Sequence, residues 1–173
     1  MATSTLIQKL DGTAFESSKT VPGSYTAVST PDVSNRRQVE TFIAGATVVA
    51  GDWLQFDTSE TGALKVLTVI QAVNTVATGN PLVVGVCLGS AESDGSLTKG
   101  SKINVIVSGY AAVAAVDDGS VTAAGQPLVL DNTAGSAAGR AELQKAGALA
   151  PACGVTLSIP ASNKAEVWVY KQF

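Results

Sequence analysis

At 173 residues the chain is long enough for one domain, or two small ones sharing a core. Its formal charge of −3 and the absence of histidine exclude a nucleic-acid binder built on clustered Lys and Arg. They also remove the usual general base, most zinc and iron sites, and every Ser-His or Cys-His nucleophile. A composition 46% hydrophobic and only 14% charged, with a mean hydropathy of +0.28, leaves apolar surface in need of cover, and self-association is its simplest source.

Residues 1–40 hold no helical or alternating period for long, and Pro22, Gly23 and Pro31 punctuate them. They read as an extended N-terminal arm, either a loose tail or a segment that orders on a neighbouring subunit. Thr3 to Leu10 has the make-up of an edge strand. Arg36 and Arg37 form the local basic pair, suited to solvent or to a carboxylate on a partner. The opening MATSTLIQKLDG lacks the basic start and apolar core of a signal peptide, and no run is long enough to span a bilayer. Synthesis and assembly in a cytoplasm, without a membrane partner, are expected.

Val39 to Phe56 reads as two strands, VETFIAG and DWLQF, joined through a turn at Gly51. In the second, Leu54 and Phe56 share the face expected to be core, with Trp53, Gln55 and Asp57 on the other. Asp57 with TSETG makes a turn in which Gly62 takes a positive φ. The pattern VVAGDWLQFD returns as TAAGQPLVLD, so that Gly51, Leu54, Phe56 and Asp57 fall on Gly125, Leu128, Leu130 and Asp131. Each copy is followed by a Gly-Val strand, VVGVCLGSA or ACGVTLSIPA, and then by a valine strand, KINVIVSG or AEVWVYKQF. One β-unit is used twice, over about 41–113 and 114–173.

The stretch Leu64 to Val76 is dense in β-branched residues and reads as strand. Pro81 to Leu88 is a further apolar strand, and SAESDGSLTKG an exposed hairpin connection. Ile103, Val105 and Val107 alternate into a half-buried strand that stops at Gly109, and the alanine-rich segment after it reads as strand and turn. Ala141 to Ala150 is the best helical candidate. In the closing strand Val167 and Val169 share one face and Trp168 and Tyr170 the other, with Phe173 at the end. That strand is either sandwiched within the domain or turns its aromatic face to another subunit.

The residues offer little chemistry. No Walker spacing occurs and no G-x-G-x-x-G opens a helix. Asp117 and Asp118 are adjacent and suit a turn before Gly119 better than a carboxylate pair. Asp57 and Asp131 repeat as turn residues, where a hard cation would need several oxygens in close register. Cys87 and Cys153 are expected as buried free thiols. No catalytic, cofactor or metal site is assigned, and enzymatic function is not expected.

Taken together, VVAGDWLQFD, LVVGVCLGSA leading to KINVIVSGYA, and AAGQPLVLDNTAG followed by ACGVTLSI and the terminal valine strand make the chain resemble the small decoration, or cement, proteins of tailed-bacteriophage heads. The likeness covers most of residues 40–173. It implies an all-β fold, a compact β-barrel or β-sandwich made from the two units. It further implies a structural virion protein, often trimeric, bound to the major capsid protein on the capsid exterior and stabilising the shell against packaged DNA. No cofactor comes with it. The alternative is a carbohydrate-binding or adhesive β-module with Trp53, Trp168 and Tyr170 as stacking platforms. Among residues free to meet a partner, Arg36, Arg37, Trp168, Tyr170 and Phe173 are the candidates.

Overall fold

The computed structural model describes residues 37–73, 82–130, 138–144 and 151–172. Its elements are β1 (Arg37–Ala44), β2 (Trp53–Phe56), α1 (Leu64–Leu67), β3 (Thr68–Gln71), β4 (Val83–Ser90), β5 (Lys102–Ala115), β6 (Pro127–Leu130), β7 (Ala141–Leu143), β8 (Gly154–Thr156) and β9 (Lys164–Val169). The fold is mostly β. The arm expected over residues 1–40, with its edge strand at Thr3 to Leu10, lies outside the described residues as far as residue 36; Arg37 to Glu40 belong to β1 instead.

Strands β1, β3, β2, β4 and β5 are neighbours in that order, and β5 returns to β1. Because β1 runs parallel to β3 while β2 is antiparallel to both β3 and β4, the result is a closed five-stranded mixed barrel, which leaves no edge among its strands. Its interior is filled by Phe42, Ala44, Leu54, Val69, Val84, Ile103, Val105 and Val107, alternate residues of each strand as a pleated backbone requires. Phe42 and Phe56 meet edge to face with centroids 6.2 Å apart.

The sheet continues from β5 through β9, β8 and β6 to β7, and a parallel bridge from Val116 to Ala141 closes this second round. Its registers copy the first. Leu54 stands opposite Gly85 as Leu128 stands opposite Gly154. Val86 pairs with Ile106 as Val155 pairs with Trp168. Phe56 pairs with Val69 as Leu130 pairs with Ala141. Even the closing bond recurs: the amides of Gly45 and Asp117 donate to the carbonyls of Val69 and Ala141, each at 2.8 Å. The turns into β2 and β6 match as well, with Gly51 and Gly125 at φ 97° and 82°, a region that favours glycine. There Asp52 Oδ2 accepts the Val49 amide, and Gln126 Oε1 does the same for Ala123.

β5 belongs to both rounds. Expected to stop at Gly109, it runs 14 residues to Ala115, because Gly109, at φ 94°, bends the strand without ending it and pairs with Val169 of β9. A register irregularity between Ala111 and Ala114 completes the turn out of the first barrel. The division at 113/114 expected from the sequence falls inside this strand.

Two further expectations are corrected. Leu64 to Val76 is not one strand: Leu64–Leu67 forms a single helical turn, started by the Leu64 amide donating to the Thr61 carbonyl, and only Thr68–Gln71 is β. Ala141 to Ala150 does not open as a helix, since Ala141–Leu143 is recruited as β7 by antiparallel pairing with β6, overriding the alanine propensity; residues 145–150 lie outside the described residues. The Asp57 turn is as expected, its Oδ1 accepting the Ser59 amide at 3.0 Å.

The two rounds pack by unequal filling. Trp53, Val86 and Ile106 point outward from the first barrel, yet all are buried, because they join Leu128, Leu130, Ala141, Cys153, Ala165, Val167 and Val169 of the second round in one core. Room for them comes from size differences at matched positions. Where the first barrel holds Phe42, Val69, Ile103 and Val84, the second has Ala114, Ala141, Ala165 and Cys153. The Trp53 indole fills that space, its Nε1 donating to the Ala115 carbonyl at 3.1 Å. Trp53 therefore lies in core and not on the solvent face, since the far side of β2 is covered by the second repeat.

Candidate interaction surface

The face of the second repeat that corresponds to Trp53–Val86–Ile106 is built by the same rule. On β9, Ala165, Val167 and Val169 point inward, so Glu166 and Trp168 point out. Pro127 sits opposite Val155, Val155 opposite Trp168 and Trp168 opposite Tyr110. These four form a row across β6, β8, β9 and β5, about 14 Å long at the usual spacing of neighbouring strands. Unlike its counterpart it is open: Trp168 is 36% exposed and Tyr170 beside it 41%, while Trp53 and Val86 are fully buried.

Tyr110 ends the row on β5, half-buried and with the Glu166 carboxylate near its phenol. Partial desolvation raises its phenol pKa, and the Glu166 carboxylate pushes in the same direction. Tyr170 is held by its amide, which donates to the Cys153 carbonyl at 2.9 Å. The sandwiched reading of the last strand is thus overturned: its valine face is core, and its aromatic face meets solvent. A second apolar surface lies on the first repeat, where Leu64, Val66 and Leu67 of α1 are 44%, 58% and 46% exposed. The dense apolar spelling of that stretch, taken from sequence as strand, marks this surface.

Of the other candidate residues, Arg37 is half-buried at the start of β1, and Arg36 and Phe173 lie outside the described residues. Trp53 cannot stack on a sugar, being wholly enclosed. Cys87 and Cys153 are free and buried. Desolvation pushes their thiols up to about 11 and about 12, so neither is a nucleophile near neutrality. Asp117 faces Arg140 at 3.8 Å and Asp118 Oδ2 accepts the Asn163 amide at 3.2 Å. Asp118 thus ties the β8–β9 turn, and Asp117 the residue before β7, to the end of β5. Among the described residues no group of three His, Cys, Asp or Glu could hold a metal ion. What the described residues offer is contact surface.

Comparison with known proteins gives one kind of likeness. No protein-family model matches the chain, and no curated protein matches it. Among solved structures, a chain in the capsid of Myoviridae phage XM1 is similar in fold, with a TM-score of 0.52 and 19% identity over 79% of this chain and 85% of that one. The similarity at that identity is one of architecture, and it takes in most of both chains.

Proposed function

We propose that this chain is a structural protein of a phage particle, a decoration or cement protein that binds the outside of an icosahedral head and braces it against the pressure of packaged DNA. The observation that carries the reading is the fold it shares with a chain of the XM1 phage capsid over most of both lengths. Chemistry is consistent with this. Buried thiols of high pKa, acids tied into turns and a chain without histidine supply no catalytic machinery, while two exposed apolar surfaces are suited to protein partners.

In this reading the partners are the major capsid protein and further copies of the chain, as a trimer, on the capsid exterior after assembly in the host cytoplasm. Contact with many equivalent lattice sites lets weak apolar contacts add up. The test is reconstitution: purified chain is mixed with heads lacking it, followed by cryo-electron microscopy and by DNA retention on heating. Added density on the outer surface and a higher release temperature are expected. Heads that gain no density and release DNA at the same temperature would rule the proposal out.

A further inference from the structure

Three Asp–Gly pairs stand in the sequence. Such a pair is open to one covalent reaction, attack of the glycine nitrogen on the aspartyl Cγ, because glycine has no Cβ to shield that nitrogen or restrict its backbone. Asp11–Gly12 lies outside the described residues, while Asp94–Gly95 and Asp118–Gly119 are both in turns and both exposed. Each of these carboxylates accepts one backbone amide, from Ser96 at 2.9 Å and from Asn163 at 3.2 Å. Neither exposure nor carboxylate contact separates the two pairs; the difference is at the nitrogen. In the turn that opens at Glu92, Gly95 is the fourth residue, and its amide closes the turn by donating to the Glu92 carbonyl at 3.3 Å. In the turn that opens at Asp117, the Asp117 carbonyl takes the amides of Ser120 at 3.4 Å and Val121 at 3.1 Å. Gly119 is there the third residue, a central position whose amide the turn does not use, and it donates to no group among the described residues.

We propose that Asp118–Gly119 is a site of spontaneous isomerisation, at which the folded chain converts aspartate to isoaspartate while its other described Asp–Gly pair is held back. The Gly119 nitrogen bonds to Asp118 Cγ, and the amide proton leaves with the hydroxyl of the protonated carboxyl as water, giving a cyclic imide. Water then adds back. Opening at Cγ restores aspartate, and opening at the former main-chain carbonyl routes the backbone through the side-chain carbon. No enzyme, oxidant or cofactor enters. The product cannot remake the Asp118 to Asn163 contact, because its carboxylate now sits on Cα and the chain is longer. That contact is part of what closes the second round. Ser162 and Asn163, at φ 53° and 57°, are the two central residues of the turn between the paired Ala161 and Lys164. Beside it the Val116 amide donates to the Asn163 carbonyl at 3.0 Å, and the Asp117 amide to the Ala141 carbonyl at 2.8 Å. Isomerisation at residue 118 thus loosens the point where β5 leaves the second round, a change that accumulates with the age of the molecule.

This inference does not need the shell-binding reading, and its test is separate from it. Purified chain is held at physiological pH and temperature, in buffer and in parallel in urea, and sampled by peptide mapping with electron-transfer fragmentation, which locates isoaspartate residue by residue. In urea the pairs at 94 and 118 are expected to convert alike, since only their common local spelling is left. In buffer, isoaspartate is expected at residue 118 and not at residue 94. Gly119→Ala is the matched variant: its Cβ would meet nothing nearer than the Asp117 carboxylate at 3.7 Å, so the fold is kept, and a methyl group beside the nitrogen is expected to abolish the product. Hydrogen exchange of the converted chain is expected to show lost protection at the Asn163 amide. Equal conversion at both pairs in buffer, conversion at 94 alone, or conversion at neither while urea gives both overturns the proposal. So does undiminished product in Gly119→Ala, or a converted chain whose Asn163 amide exchanges no faster than before.

Discussion

Gly154 shows how closely single residues fit. A methyl group there would sit 2.6 Å from the Trp168 carbonyl oxygen and 3.0 Å from Trp53 Cη2, so it meets rigid backbone on one side and a buried ring on the other. At the matched position, Gly85, a Cβ would collide with the Ile106 carbonyl. Gly154→Ala is expected to cost about 3 kcal/mol, the upper range for overpacking, measured by denaturant unfolding against the unaltered chain. The thiols give a second outcome. Burial lifts Cys87 and Cys153 from the ordinary value of 9.0 to about 11 and about 12. The unfolded chain therefore releases these protons first as pH rises, and it binds fewer than the native state between the two values. Their contribution to stability is whole below about pH 9 and declines as pH climbs through 11 to 12. A Tm series at alkaline pH reads this, with Cys87→Ala and Cys153→Ala flattening the decline. In the native state at pH 8, a thiol reagent is expected to label neither cysteine until denaturant is added.

At the scale of elements, Trp53 is where the two repeats are joined, and Trp53→Ala is expected to cost about 4 kcal/mol. Hydrogen exchange should rise chiefly in β6, β8 and β9, whose core loses the ring, more than in the first barrel with its own Phe42 and Phe56. Equal loss of protection in both repeats would contradict that division. Sequence made part of this arrangement visible. GDWLQF and GQPLVL identified β2 and β6, with their glycine turns, because a positive φ and an inward Leu leave marks at fixed spacing. The side on which Trp53 is covered was not visible, since alternation separates two faces but cannot say that a second repeat lies against the outer one. The helix expected at Ala141 failed because three residues of alanine-rich chain take whatever pairing β6 offers. Gly109 reads as an end in the sequence because a glycine that bends a strand and one that terminates it are spelled alike. Of the contact residues, Trp168 and Tyr170 were legible from alternation, whereas Val155 and Pro127 join them only through cross-strand register.

For the molecule as a whole, the shared strand sets how it comes apart. With β5 contributing to both rounds, the second repeat, built around side chains of the first, cannot outlast it, and loss of the second bares Trp53, Val86 and Ile106 on the first. Calorimetry is expected to show one transition whose calorimetric and van't Hoff enthalpies agree. Two resolved transitions would mean the repeats are energetically separate.

The unequal cores also bear on how such a chain can change over generations. Matched positions carry Phe42 and Ala114, or Ile103 and Ala165, so neither half can be copied over the other. Two first-type halves would leave the Trp53 ring without a hollow, and two second-type halves would leave a void without a ring. The paired halves are thus held apart in spelling while held alike in backbone, and gene conversion between them would be purged as a folding defect.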